Sequence, residues 1–264
     1  MGSLILTWAE LRSEIGFYLG HGRTSANWSD EEAATVNAVV NSGCRNFYFP
    51  KPLPGMIKAH EWSFLRPIGT FAAVEDAYKY DLPSDFGGFD GGMIIDDSSS
   101  SRKPLRKTGI TEIMRCQSEN PTLTGVPAIF ADGPKMTAGL MEQVFECWLY
   151  PTPNDAFTMK FRYRVNPKKL ELSRPYPYGG AEHSETLLAS CLAVAEKRVN
   201  DGVTFTHQND FMERLAASIS QDQARQPDFY GYNGDRSGGR AGSFVKPQVQ
   251  ALHDGVLPED YTGS

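Results

Sequence analysis

The stretch FTMKFRYRV, Phe157 to Val165, alternates apolar and polar side chains without a break. Phe157, Met159, Phe161, Tyr163 and Val165 fall on one face, and Thr158, Lys160, Arg162 and Arg164 on the other. A period of two residues is that of a strand with one buried and one wet face. A sheet therefore lies in the middle of a chain whose two ends follow a different rhythm.

Upstream of this strand, from His60 onward, short β-rich stretches alternate with clusters of Gly, Pro, Asp and Ser. The pattern predicts strands at Gly69–Val74, Ala77–Leu82, Met93–Ile95, Ala128–Ala131 and Val144–Tyr150, with a short helix at Thr111–Glu119. Asn154-Asp155 reads as a hairpin turn joining Val144–Tyr150 to Phe157–Val165.

On both flanks the period is helical. Thr7 stands three residues before Glu10, and Ser29 three before Glu32, the spacing of a capping box. Trp8, Leu11, Ile15, Tyr18 and Leu19 define a first helix, stopped by Gly20 and Gly22. Val36, Val39, Val40, Cys44 and Phe47 define a second, ended by Pro50. After a loop from Asn166 to Gly180, Leu187, Leu188, Cys191, Leu192, Ala195 and Val199 mark a third, and Phe211, Leu215, Ala216 and Ile219 a fourth.

Helix pairs at both ends each need an apolar partner, and bringing them together is the economical solution. The expected fold is α+β: N- and C-terminal helices forming an antiparallel bundle, with an inserted antiparallel β-rich domain. The expected boundaries are 1–57 for the first helices, 58–170 for the β-rich insert, 171–225 for the last helices and 226–264 for an extended C-terminal arm.

The composition, 40% hydrophobic and 22% charged over 264 residues, is that of a globular protein. A formal charge of −6 argues against a protein held to nucleic acid by phosphate neutralisation. Cys44, Cys116, Cys147 and Cys191 are far apart and have no histidine at metal-ligand spacing, so they read as reduced core thiols. The opening MGSLILTW lacks the basic leader and long apolar run of a secretory signal, and no later run is long enough to cross a bilayer. A soluble product of a cytoplasm is expected.

Catalytic chemistry finds little support. FGGFDGG, Phe86 to Gly92, lacks the Lys and Ser/Thr of a phosphate loop and the oxygen ligands of a calcium loop. It reads as a glycine-rich connection that uses positive φ, with Asp96 to Ser101 as a solvated hairpin tip. His60-Glu61 resembles the start of a zincin helix, but Phe64 holds the place of the second histidine. His183, between Glu182 and Glu185, reads as part of a helix start, as does His207. No catalytic, cofactor or metal residue is assigned. Two aromatic-proline clusters, FYFPKPLP (Phe47 to Pro54) and RPYPYGG (Arg174 to Gly180), either present rings to a sugar or peptide or stiffen passages between helix and sheet. The first option makes a carbohydrate- or peptide-binding module the alternative reading.

The last stretch, Gln226 to Ser264, is too rich in glycine to form a packed unit, yet it carries Phe229, Tyr230, Tyr232, Phe244, Val245, Leu252, Val256, Leu257 and Tyr261. Such a composition suits a segment that lies extended across another subunit and buries separate side chains in successive pockets. Wrapping of its own domain, or disorder, fits the residues as well.

Taken in order, TWAELRSEIGFYLGHGR, WSDEE, HEWSFLRP, YKYDLPSDFGG, WLYPTPNDAFTMKFRYRVNP, ETLLASCLAVAEKR, FMERLAASISQDQ and YGYNGDRS resemble the head-to-tail connector proteins of tailed bacteriophages, over Thr7 to about Ser237. These are the neck or adaptor subunits below the portal, with a further similarity to the tubular tail proteins of short-tailed phages. The resemblance implies a structural virion protein, made in the bacterial host's cytoplasm and placed in the neck, with no enzymatic role, cofactor or membrane. It implies a ring, of twelve copies, between the portal protein and a downstream tail or nozzle protein, through which double-stranded DNA passes. C-terminal extensions in that family slot between portal subunits. By that analogy Phe229, Tyr230, Tyr232, Asn233, Phe244 and Val245 are expected to anchor on the portal, with Arg236 and Arg240 as charge partners.

Overall fold

Thr7 and Ser29 each start a helix as their spacing predicts. The Thr7 hydroxyl accepts from the Glu10 amide while the Glu10 carboxylate accepts from the Thr7 amide at 2.7 Å, opening α1 (Trp8–Tyr18). The Ser29–Glu32 pair repeats this at the start of α2 (Asp30–Tyr48). Each box satisfies amides that the first helical turn leaves unpaired, a gain of about 1 kcal/mol. The computed structural model describes residues 4–96, 104–135, 143–199 and 205–225.

The chain then runs through β1 (Ile68–Ala73), β2 (Lys79–Asp81), β3 (Phe86–Ile95), β4 (Arg106–Lys107), α3 (Ile110–Glu119), β5 (Thr124–Gly125), β6 (Ile129–Pro134), β7 (Phe145–Tyr150), β8 (Thr152–Pro153) and β9 (Phe157–Val165). It ends in α4 (Ser184–Val199) and α5 (Thr206–Ala224). The alternating strand β9 is the centre of an antiparallel sheet of order β1-β9-β3, with Gly69 opposite Phe161 and Phe89 opposite Tyr163. Its odd-numbered residues are buried, as their alternation predicts. A second sheet runs β2-β7-β6-β4, and β5 and β8 form a two-stranded ladder. The Phe89 ring meets Phe161 at 5.2 Å within its own sheet and Phe130 of β6 at 5.0 Å, so the two larger sheets share a core.

The expected arrangement of a terminal antiparallel bundle carrying one inserted antiparallel domain is overturned. Among the described residues five α-helices are scattered along the chain, α3 in the midst of the strands, and the sheets are central. The β-rich part is not uniformly antiparallel either, since β4 pairs with β6, and β5 with β8, in parallel. The reason is that the helices do not close a core among themselves. One continuous set of buried residues runs from Leu11 and Val40 through Trp62 to Phe89 and Met159.

Two local expectations also change. FGGFDGG is not a connection but the body of β3, whose ladder with β9 shifts register at Phe86/Gly88 and at Phe89/Met93. Gly88 (φ 138°) and Gly91 (φ 105°) sit at those irregularities, where a side chain is strained. Asn154-Asp155 is not a hairpin turn, because β7 and β9 belong to different sheets. Of the stretch 96–101, only Asp96 lies within the described residues.

Where helices do meet, the contact is close. A Cβ added to Gly43 of α2 would fall 2.5 Å from Cys191 Sγ and 2.6 Å from Cys191 Cα of α4. The buried Ser190 hydroxyl donates to the Gly43 carbonyl at 2.8 Å across the same contact.

Candidate functional site

The last element described, α5, is braced at three points. Phe205, its N-cap residue, has no side-chain acceptor, and Glu196 from α4 does that work instead. The buried Glu196 carboxylate accepts from the Thr206 amide at 3.0 Å and the Gln208 amide at 3.1 Å. A negative group at a helix N-terminus is favoured by both the free amides and the helix dipole. Midway, the Ser218 and Thr186 hydroxyls meet at 2.7 Å in the interior.

The third brace lies at the far end of α5. Asp222, 1% exposed, accepts from His60 Nε2 at 2.8 Å, from the Ser63 amide at 3.1 Å and from the Ser63 hydroxyl. An ionised carboxylate only accepts, so the imidazole donates from Nε2. Burial alone would raise the Asp222 carboxyl, but the Ser63 and His60 donors outweigh it and hold it below the usual range. At the surface, Glu182 pairs with Arg225 and accepts from Gln221, closing the last turn.

Beside this pin His183 is 2% exposed, in the 3₁₀ turn that precedes α4, and neither ring nitrogen has a hydrogen-bond partner among the described residues. Its ring packs among Trp62 (5.3 Å), Phe64 (5.3 Å) and Phe47 (6.1 Å). Burial pushes the imidazole below its usual range, against the opposing pull of Asp222 and Glu182. The Trp62 indole donates to the Phe47 carbonyl at 2.8 Å, tying the 60–66 segment to α2.

Ser, His and Asp together invite comparison with a hydrolytic triad, and the geometry answers it. Here the carboxylate sits in the middle and the serine donates to it, so no imidazole stands ready to take the serine proton. Among the described residues no group of His, Cys, Asp and Glu is placed to hold a metal ion. None of the described helices is long and apolar enough to cross a membrane.

Two charged surfaces complete the picture. On the wet face of the β1-β9-β3 sheet, Arg162 and Arg66 share Asp90 at 3.3 and 3.7 Å, Arg66 and Arg164 share Glu61, and Lys160 faces Asp96 at 3.7 Å. A groove of about 320 Å³ opens between the C-terminal half of α2 and the segments around Ser84 and 166–169. Its lining includes Arg45, Lys168 and Lys169 with Tyr48 and Phe49, and no carboxylate among the described residues.

The anchors expected at Phe229, Tyr230, Tyr232, Asn233, Arg236, Arg240, Phe244 and Val245 lie outside the described residues. His60 and His183, 123 positions apart by number, are brought together, while His207 lies edge-on to Tyr18 at 5.0 Å. The two aromatic-proline clusters also meet, the Tyr178 amide donating to the Tyr48 hydroxyl at 2.9 Å, and the second cluster is tied to α1 by the Trp8 amide, which donates to the Pro175 carbonyl at 2.7 Å. Sequence reasoning passed over Glu196 and Asp222. The available signal was position: Asp222 continues the buried series Leu215, Ser218, Ile219 at helical spacing, where a carboxylate needs a partner.

The fold and its bracing thus define a protein that holds the last of its described helices fast at both ends and the middle. The SU10 adaptor protein family matches the chain over residues 6–236, and the chain belongs to that family of phage head-to-tail adaptors. No curated protein sequence matches the chain significantly.

Proposed function

We propose that the chain is a structural, non-enzymatic subunit of the virion neck. Copies assemble as a ring below the portal, twelve in number, and join it to a downstream tail or nozzle component. The family match carries this reading. It extends beyond Arg225 into the stretch that holds Phe229, Tyr230 and Tyr232, so the first part of the arm is included in what the family shares. The bracing of α5 supports it, because an element fixed at three points is a firm root for a segment that grips a partner. In this reading residues 1–225 form the body, 226–264 the arm, and Phe229, Tyr230, Tyr232, Asn233, Arg236, Arg240, Phe244 and Val245 the portal contacts. The formal charge of −6 suits a conduit that DNA slides through without sticking.

The test is removal of residues 226–264. Portal-containing capsids should recruit full-length protein, visible as an added ring by electron microscopy, and fail to recruit the truncated chain. Equal recruitment of both sinks the assignment of the arm.

A further inference from the structure

We propose that Cys44 and Cys191 form a dithiol site that hydrogen peroxide converts to a disulfide, joining α2 to α4 where the two helices touch. The inference does not rest on the neck assignment, since it concerns chemistry inside a single chain.

The two cysteines face each other across the contact at Gly43. Val40, Gly43 and Cys44 lie on one side of α2, at the spacing that aligns side chains along a helix. Cys191 of α4 is seated against that side. Its Sγ donates to the Val40 carbonyl at 3.7 Å, and a Cβ on Gly43 would fall 2.6 Å from its Cα. A helical carbonyl points along the axis toward the residue four positions on, so the Cys191 sulfur stands beside Cys44. The two thiols are hydrogen-bonded to each other, and that bond, with burial and the Cys44 charge behind it, holds the Cys191 thiol well above its ordinary range. Disulfides span Cα separations of about 4.4–6.8 Å, a distance suited to helices in such close contact.

Access to the two sulfurs is unequal. Cys191 is fully buried, whereas Cys44 is among the residues lining the groove of about 320 Å³ beside α2. Hydrogen peroxide is little larger than water and fits in that space. Cys44 is therefore the sulfur that the oxidant meets first, and Cys191 the one that closes the bond.

The Cys44 thiolate attacks one peroxide oxygen, the O–O bond breaks, and Cys44 becomes a sulfenic acid as hydroxide leaves. Cys191, giving up its proton, then attacks the Cys44 sulfur and expels the sulfenic oxygen as a second hydroxide. The two thiol protons convert both hydroxides to water. Each sulfur loses one electron and the peroxide oxygens gain them, so two thiols and one peroxide give one disulfide and two waters.

Between Cys44 and Cys191 the chain holds α3 and all nine described strands, so the bond closes the whole sheet region into one covalent loop. Closing so much chain restricts the unfolded state and favours the folded one. A virion outside the reducing cytoplasm of its host is a setting in which such a bond would persist.

The full chain, reduced and then held in excess hydrogen peroxide, tests this. Its intact mass should fall by two hydrogen atoms, and two of the four cysteines should escape alkylation after unfolding without reductant. A non-reduced peptide map should recover Cys44 joined to Cys191. The urea midpoint should rise on oxidation and return with dithiothreitol. Cys116→Ser, which changes the partly exposed thiol outside the pair, should leave the bond intact, while Cys44→Ala and Cys191→Ala should each abolish it. Should either alanine variant fail to fold, the peptide map of the parent chain decides alone. Four alkylatable cysteines, a bond through Cys116 or Cys147, or oxygen added to Cys44 without a cross-link each overturns the proposal. Recruitment to portal-containing capsids is scored separately, so failure here and failure of the neck assignment are told apart.

Discussion

Asp222→Ala is the sharpest probe of how the body holds its last helix. Three donors converge on one carboxylate that is 1% exposed: the His60 imidazole, the Ser63 amide and the Ser63 hydroxyl. Alanine removes the acceptor and leaves all three donors without it in a part-buried place. A hydrogen bond to a charged group is worth about 1.5–3 kcal/mol net, and the values are not additive within one cluster. Leaving buried donors without their acceptor costs about 1–3 kcal/mol each, so a loss of about 4 kcal/mol is expected for Asp222→Ala. Asp222→Asn keeps an acceptor oxygen and should lose roughly half of that. Urea denaturation followed by tryptophan fluorescence measures both, since the Trp62 ring lies edge-on to His60 at 4.8 Å and senses the cluster. Ser63→Ala and the double variant complete a thermodynamic cycle, for which a coupling of at least about 1 kcal/mol is expected. A loss below about 1 kcal/mol for Asp222→Ala, or simple additivity with Ser63→Ala, refutes the claim that this pin stabilises the fold.

Acid should weaken the protein in a defined window. Burial keeps His183 below its ordinary 6.5, so the unfolded chain takes up a proton that the folded one refuses. Stability is full above pH 6.5 and falls as the pH drops toward the lower folded value; Tm between pH 7.5 and 5 should decline, and less steeply in His183→Leu. Asp222 contributes further stability that is fully present above its ordinary 3.8 and is lost as the pH falls through its lowered folded value. Glu196→Ala leaves the first turn of α5 without an acceptor and should cost about 2 kcal/mol in urea titrations, with faster amide exchange at Thr206 and Gln208. Gly43→Ala drives a methyl into Cys191 and should cost about 3 kcal/mol, whereas the same change at a glycine with open space would not.

The helices and the longer strands were legible because side chains advertise their period. FTMKFRYRV alternates through all of β9, and the Thr7 and Ser29 boxes mark helix starts to the residue. β3 was only partly legible, since four glycines in Phe86–Ile95 have no side chain to alternate. The pairs β4–β6 and β5–β8 are two residues long, too short for any pattern to register. Partnering was the main failure. Asn154-Asp155 looks like a turn, but a turn signal does not say which strands it joins, and here it separates two sheets. The helices likewise showed their apolar stripes without showing that sheet residues would share the same core. The α5 pin was hidden for a similar reason: Asp222 and His60 stand 162 positions apart, and nothing local to either announces the other.

Position along the chain gives the Asp222 pin a mechanical meaning. Any pull that enters the backbone beyond Arg225 arrives at Asp222 within one helical turn, before it can peel the rest of α5 away. Its load passes through His60 and Ser63 into the segment leading to β1, and through the Trp62 indole into the end of α2. A force applied at the end of α5 is therefore shared between helix and sheet at the first fastening.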